Sequence, residues 1–148
     1  SGEINNLPLL KQINRNKYKK VILSTGMSTI EEIKLAIKTL KNCNVELLHC
    51  VSEYPLKAPN LKSINYLKKI FKIKVGYSDH TPDNYTCYAA VSHGAKLIEK
   101  HIILDKSHPG PDQNVSIDPL GLHDLVDGIR KVEKSLGENK EIHNFRHW

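Results

Sequence analysis

The sequence predicts an α/β protein in which parallel strands alternate with helices, and three observations carry this. Short apolar runs begin near Val21, Val45, Ile73 and Ala95. Their spacing of about 20–30 residues suits parallel strands joined by crossover helices. The runs lack strict alternation, as expected of strands covered on both faces. Each is followed by apolar residues at helical spacing. An open doubly wound sheet and half of a (β/α)8 barrel both satisfy these observations. No GxGxxG follows the first run, which counts against a dinucleotide site.

In chain order, Leu7, Leu9, Leu10 and Ile13 predict a short amphipathic helix with Pro8 in its first turn. Residues 21–24 form a buried strand that meets Thr25-Gly26 at a turn. Ser28 and Glu31 read as a capping box, followed by Ile30, Ile33, Ile37 and Leu40 at helical spacing. Residues 45–50 are the next strand, leading into a Pro-containing loop. Asn60 reads as the cap of a helix marked by Leu61, Ile64, Leu67 and Phe71. Residues 73–77 are the third strand. A helix over 83–92 stops at Gly94, and 95–103 is the fourth strand. After a Pro/Gly loop, Leu122, Leu125, Val126, Ile129, Val132 and Leu136 give a last helix, ended by Gly137. One domain is expected over 1–137, with 138–148 a tail of no clear pattern.

Bulk properties narrow the function classes. With 39% hydrophobic and 26% charged residues in 148, the chain is neither disordered nor fibrous. No apolar run approaches the roughly 20 residues of a membrane helix, so no membrane partner is expected. The net charge of +6 comes from scattered lysines rather than an Arg-rich or aromatic-interleaved stripe, so no nucleic-acid partner is expected. Cys43, Cys50 and Cys87 are odd in number and lack CxxC spacing. They predict neither a disulfide framework nor a structural zinc site, and they fit a cytoplasmic location. Opening on SGEINN without methionine, the chain is expected to be a segment of a longer protein.

The polar residues gather directly after the strands, at Ser24-Thr25-Gly26, His49 to Tyr54, Ser78 to Thr81, and Glu99 to His101. In barrels and open α/β sheets alike, sites form at the C-terminal strand ends. Ser24-Thr25-Gly26 reads either as an anion cradle at a helix start or as an ordinary turn. Ser78 holds an equivalent position after the third strand, and two such hydroxyls can share one phosphate. His80 and His101 are delivered from neighbouring strand ends and can hold a divalent ion through neutral imidazoles. The alternative is that each merely packs. Two protein ligands suit a labile Mn²⁺ or Mg²⁺ better than a closed zinc site. Asp79 either orients an imidazole or caps the next turn. Glu99 pairs with Lys100 or Arg130, or faces the barrel interior. His49 reads as a core histidine, and Tyr54 either contacts a sugar or packs at the surface.

STGM after the first strand, LLHCVSEYP, GYSDHT, LIEKHIILD and GPDQNVS, in this order and spacing, resemble the sialic acid synthase family. That family includes N-acetylneuraminate, legionaminic acid and pseudaminic acid synthases and spore-coat polysaccharide proteins. The resemblance runs from the opening SGE to about Gly137. It implies a (β/α)8 TIM barrel, of which this chain is the C-terminal half. The implied reaction condenses phosphoenolpyruvate with an N-acetylated aldose, N-acetylmannosamine or a related amino sugar, giving a nine-carbon 2-keto acid and phosphate. By the same resemblance His80 and His101 bind Mn²⁺ or a similar ion. Ser1, Ser24 and Ser78 hold phosphoenolpyruvate, while Ser52, Tyr54 and Asp112 lie against the sugar. Ser52 stands where neuraminate enzymes commonly carry Asn, which points toward the legionaminic, pseudaminic or spore-coat branches.

The resemblance also implies groups beyond these 148 residues: an acidic residue and a phosphate-binding Lys upstream, and an Arg from a C-terminal antifreeze-like domain of a neighbouring subunit. A homodimer is therefore expected of the longer protein, and the segment alone is expected to be inactive. A non-catalytic half barrel that binds or assembles with a partner is the competing reading.

Overall fold

The computed structural model describes residues 2–52, 56, 58–107 and 110–137. Helix α1 (Leu7–Arg15) leads into β1 (Val21–Ser24), α2 (Ile30–Thr39), β2 (Val45–His49), α3 (Lys62–Phe71), β3 (Val75–Asp79), α4 (Tyr85–Ser92), β4 (Ile98–Lys100) and α5 (Pro119–Leu136). The four strands form one sheet in sequence order, β1-β2-β3-β4, and every pairing is parallel. Successive strands that always pair outward in one direction, each with a crossover helix, trace half of a (β/α)8 barrel.

Burial distinguishes this half barrel from the open sheet. The core takes Leu23 from β1, Val45 and Leu47 from β2, and Val75 and Tyr77 from β3, packed against Ile33, Ala36, Leu40, Ile64, Leu67 and Ala90 of the helices. Side chains alternate faces along a strand, so these strand residues all point one way and the helices cover that one face. The opposite, concave face carries Ile22, Ser24, Glu46, Leu48, Gly76, Ser78 and Glu99, as the registers require. On the outermost strand the contrast is direct: Leu23 is 8% exposed and its neighbour Ile22 is 45% exposed.

Local chemistry explains the element ends. Asn6 caps α1 by accepting from the Leu9 amide, with a Pro in the first turn as expected. The capping box of α2 is Thr29 with Glu32, one residue later than Ser28 with Glu31. Both pairs satisfy the pattern, but the Ser28 amide is already used by the Thr25 carbonyl at 2.9 Å. Asn60 does not cap α3; it adopts a left-handed φ of 48°, and Leu61 stands at the cap without a side-chain bond. Helix α4 begins at Tyr85, two residues later than position 83. The apolar run 95–103 yields only a three-residue strand. Beyond Lys100 the chain changes partner, with Ile102 bridging Ile117 in parallel and the Ile103 and Ile117 amides bonded to the Ile117 and His101 carbonyls.

Candidate active site

The C-terminal ends of the strands bring several predicted residues onto the concave face. His80 follows β3 and His101 follows β4; both continue the alternation that places Ser78 and Glu99 on that face. Their rings lie 5.4 Å apart, centroid to centroid, at 52°. His80 Nδ1 donates to the Val51 carbonyl at 3.0 Å, a contact that makes Nε2 the nitrogen carrying a lone pair. His101 Nδ1 lies 3.6 Å from the Asp112 carboxylate. His80, with Nδ1 bonded to a carbonyl, has the arrangement of a metal-ligating histidine. Among the described residues no group of three or more His, Cys, Asp or Glu side chains converges. The donor set therefore fits an ion held by two imidazoles and completed by water, substrate or another carboxylate, and it does not fit a closed four-ligand centre.

Ser78 is 5% exposed and donates to Glu99 Oε1 at 2.7 Å across the β3–β4 pair. Glu99 thus faces the concave side and does not pair with Lys100 or Arg130. Ser24 is level with Leu48 and Gly76 on the same face. Strand β2 lies between Ser24 and Ser78, so the two hydroxyls are not on adjacent strands. The turn after β1 is occupied by its own bonds. Thr25 donates its hydroxyl to the Leu48 carbonyl at 3.0 Å, and the Gly26 amide meets Cys50 Sγ at 3.1 Å. The start of α2 is filled by the Glu32 carboxylate on the Thr29 amide at 2.8 Å, with Glu31 beside it. Those two carboxylates oppose a substrate anion at this helix start.

Ser52 lines a hollow of about 260 Å³ with Gly2, Met27, Ser28 and Glu32, at the mouth between the loops after β1 and β2. Ser1, Tyr54 and the tail 138–148 lie outside the described residues. A second hollow, about 320 Å³ and lined by Pro82, Asn84, Tyr88 and Ile117 among others, contains none of the predicted site residues.

Sequence reasoning left the roles of Asp79 and Lys100 open. Asp79 is fully buried on the helix face of β3, and its carboxylate meets the Lys100 ammonium at 2.6 Å. Burial alone would raise its pKa. Lys100, followed by the Thr81 hydroxyl and amide, outweighs burial and holds the carboxyl below its ordinary value. The same desolvation, and then the Asp79 charge, push the Tyr77 phenol and the Cys87 thiol upward. The signal in the sequence was the pair of charged residues immediately before each strand-end histidine.

The architecture is a parallel half barrel with the strand-end histidines at its C-terminal mouth. The NeuB family model matches residues 1–141, and the chain belongs to that family. It is 47% identical over 145 residues to N,N'-diacetyllegionaminic acid synthase of Campylobacter jejuni, covering 93% of this chain and 43% of the relative. It is 38% identical to N-acetylneuraminate-9-phosphate synthase of Homo sapiens, covering 93% of this chain and 39% of that one. The crystal structure of N-acetylneuraminic acid (sialic acid) synthetase from Leptospira borgpetersenii superposes with a TM-score of 0.88 at 36% identity, over 93% of this chain and 50% of the other. The chain thus spans about two fifths of the length of these curated relatives.

Proposed function

We propose that this chain supplies the metal and sugar side of a sialic-acid-type synthase within a longer protein. The reaction condenses phosphoenolpyruvate with an N-acetylated amino sugar. The observation that carries the reading is that His80 and His101 lie with rings 5.4 Å apart on the concave face, His80 Nδ1 bonded to the Val51 carbonyl and the Asp112 carboxylate 3.6 Å from His101 Nδ1. Mn²⁺, or Mg²⁺ in its place, is the ion they hold; when bound it supplies Lewis-acid polarisation of the sugar aldehyde. The Val51 carbonyl fixes the His80 tautomer, and Asp112 lies beside His101. Ser24 and Ser78, with Ser1, hold the phosphoenolpyruvate oxygens, Ser78 turning its hydroxyl from Glu99 to the anion. Asp112, Tyr54 and Ser52 orient the sugar.

The atoms balance without redox change. The methylene carbon of phosphoenolpyruvate bonds to the aldehyde carbon, whose oxygen takes a proton. Water adds to the carbon bearing the phosphate, and phosphate leaves with C–O cleavage, giving a nine-carbon 2-keto acid. The protein's part is to hold an anion, an electrophile and a polyhydroxyl chain in reacting geometry. The higher identity to the legionaminic acid synthase than to the neuraminate-9-phosphate synthase and the serine at position 52 both favour a modified amino sugar over N-acetylmannosamine. The longer protein acts in the cytoplasm as a homodimer.

The test is a Mn²⁺ titration of the chain beside its His80→Ala and His101→Ala variants. Each variant is expected to lose affinity by at least about 10-fold, and unchanged affinity in both sinks the metal assignment. The isolated chain is expected to release no phosphate from phosphoenolpyruvate and an N-acetylated amino sugar, because half of the barrel wall is missing. Turnover by the isolated chain would refute its incompleteness. The exposed Ile22 and Glu99 on the concave face also favour the second reading, a half barrel that assembles without catalysing. Condensation by the longer protein, abolished by His80→Ala, decides against that reading.

A further inference from the structure

Behind the two histidines lies a buried ion pair that the proposed chemistry does not use. Asp79 and Lys100 are register partners on β3 and β4, and each immediately precedes one histidine. Because successive residues point to opposite faces, the ion pair lies on the helix side exactly one residue below His80 and His101. The Asp79 and Lys100 side chains are 0% and 3% exposed.

All three donors of the Lys100 ammonium are spent on the end of β3 and the loop after it. They reach Asp79 Oδ2 at 2.6 Å, the Thr81 carbonyl, and the Asp83 carbonyl at 2.9 Å. These partners bracket His80 on both sides. The Asp79 carboxylate is equally committed. Oδ1 accepts from the Tyr77 hydroxyl at 2.9 Å, the Thr81 amide at 3.1 Å and the Thr86 hydroxyl at 2.9 Å. Oδ2 also accepts from the Thr81 hydroxyl at 2.9 Å and the Cys87 thiol at 3.3 Å. One carboxylate thereby ties β3, β4, the loop between β3 and α4, and α4 itself.

A buried ion pair is a weak source of stability, since well-packed apolar residues of similar volume often serve as well or better. What it supplies here is a fixed geometry. We propose that Asp79 and Lys100 are positioning residues that set the separation and angle of His80 and His101 for a divalent ion. This rests on the reading of those histidines as ligands. Without the pair, the β3–β4 backbone pairing remains, but the loop after β3 loses its side-chain tie to β4 and the angle between the two imidazoles is no longer fixed.

The experiment is a Mn²⁺ titration of the 148-residue chain as wild type, His80→Ala, and the double variant Asp79→Asn/Lys100→Met. The double variant leaves no unpaired buried charge. Near-ultraviolet circular dichroism and cooperative unfolding establish that each protein is folded at the titration temperature. The expected result is that His80→Ala loses binding and that the folded double variant binds about 10-fold or more weakly. A folded double variant with wild-type affinity, beside a His80→Ala variant that has lost it, overturns the positioning role and leaves the metal reading intact. Wild-type affinity in His80→Ala overturns both. If the double variant does not fold, Thr86→Val and Thr86→Ser decide the matter. The valine removes one donor to Asp79 and is expected to weaken binding several-fold, while the serine restores it. Equal affinities in the two Thr86 variants overturn the proposal.

Discussion

His49 is buried on the helix face of β2, where Nε2 donates to the Pro59 carbonyl at 2.7 Å and the ring stacks 6.0 Å from Tyr77. Burial lowers its pKa, and the bond to Pro59 offsets this only in part. A histidine whose folded pKa is below its unfolded value of about 6.5 is protonated first in the unfolded chain. Its contribution to stability is therefore complete above the unfolded pKa and is lost as pH falls through the lower folded value. Urea unfolding at pH 7.5 and at pH 5 should show a lower midpoint at pH 5. His49→Gln, which keeps a donor for Pro59, should flatten that part of the dependence; an undiminished slope in the variant rules out His49 as its source. That His49 is a core residue was legible from the apolar run around it. The Ser78–Glu99 and Asp79–Lys100 contacts were not, because each joins residues 21 positions apart. Only the β3–β4 register decides which of two adjacent polar residues faces the site.

Elements were more legible than contacts. Apolar runs with helical segments between them yield all four strands in order, because a strand covered on both faces announces itself by composition. Boundaries failed where two solutions compete locally. Ser28-Thr29-Ile30-Glu31-Glu32 contains two overlapping capping boxes, and the apolar run after Lys100 leaves β3 for Ile117. The strands approach closely at Gly76. A Cβ there would lie 2.4 Å from the Leu97 carbonyl oxygen, 2.7 Å from Leu48 Cδ2 and 2.8 Å from Leu97 Cβ. That oxygen also accepts from the Tyr77 amide at 2.8 Å, so β4 cannot move away without losing a ladder bond. Gly76→Ala should cost about 1–3 kcal/mol by overpacking, read as a lower denaturant midpoint, and should weaken Mn²⁺ binding because β3 carries His80. Gly128 is the matching point between helices. Its added Cβ would meet the Tyr88 ring at 2.4 Å, while the Tyr88 hydroxyl donates to the Asp124 carbonyl at 3.0 Å. Gly128→Ala should destabilise the α4–α5 contact by a similar amount yet leave Mn²⁺ affinity at the wild-type value. Equal losses of affinity in the two variants would mean that global destabilisation, not strand position, governs binding.

At the scale of the whole molecule, the four strands of the described residues, in sequence order, leave β1 and β4 as parallel edges among those residues. Patterning alone left the half barrel as one of two options, since an apolar strand does not reveal whether its second face meets helices or the inside of a barrel; the motifs' resemblance to the sialic acid synthase family selected it. The structure resolves this by gathering the helices on one face. The consequence is a concave surface with Ile22 at its rim, 45% exposed on an edge strand. Unpaired strand edges beside exposed apolar side chains are templates for association. A net charge of +6 opposes association at low ionic strength, and salt screens that repulsion over about 10 Å at 0.1 M. The isolated chain should therefore grow in mass by light scattering with rising concentration, and more steeply at 0.5 M salt than at 20 mM. Ile22→Lys places a charge on the exposed edge of β1, at a residue outside the buried core cluster. It should shift the association to higher concentration while leaving the unfolding midpoint of the dilute protein nearly unchanged. A wild-type chain that stays monomeric across both salts would mean that β1 is protected in solution, and a variant that associates as readily as wild type would locate the contact at β4 instead.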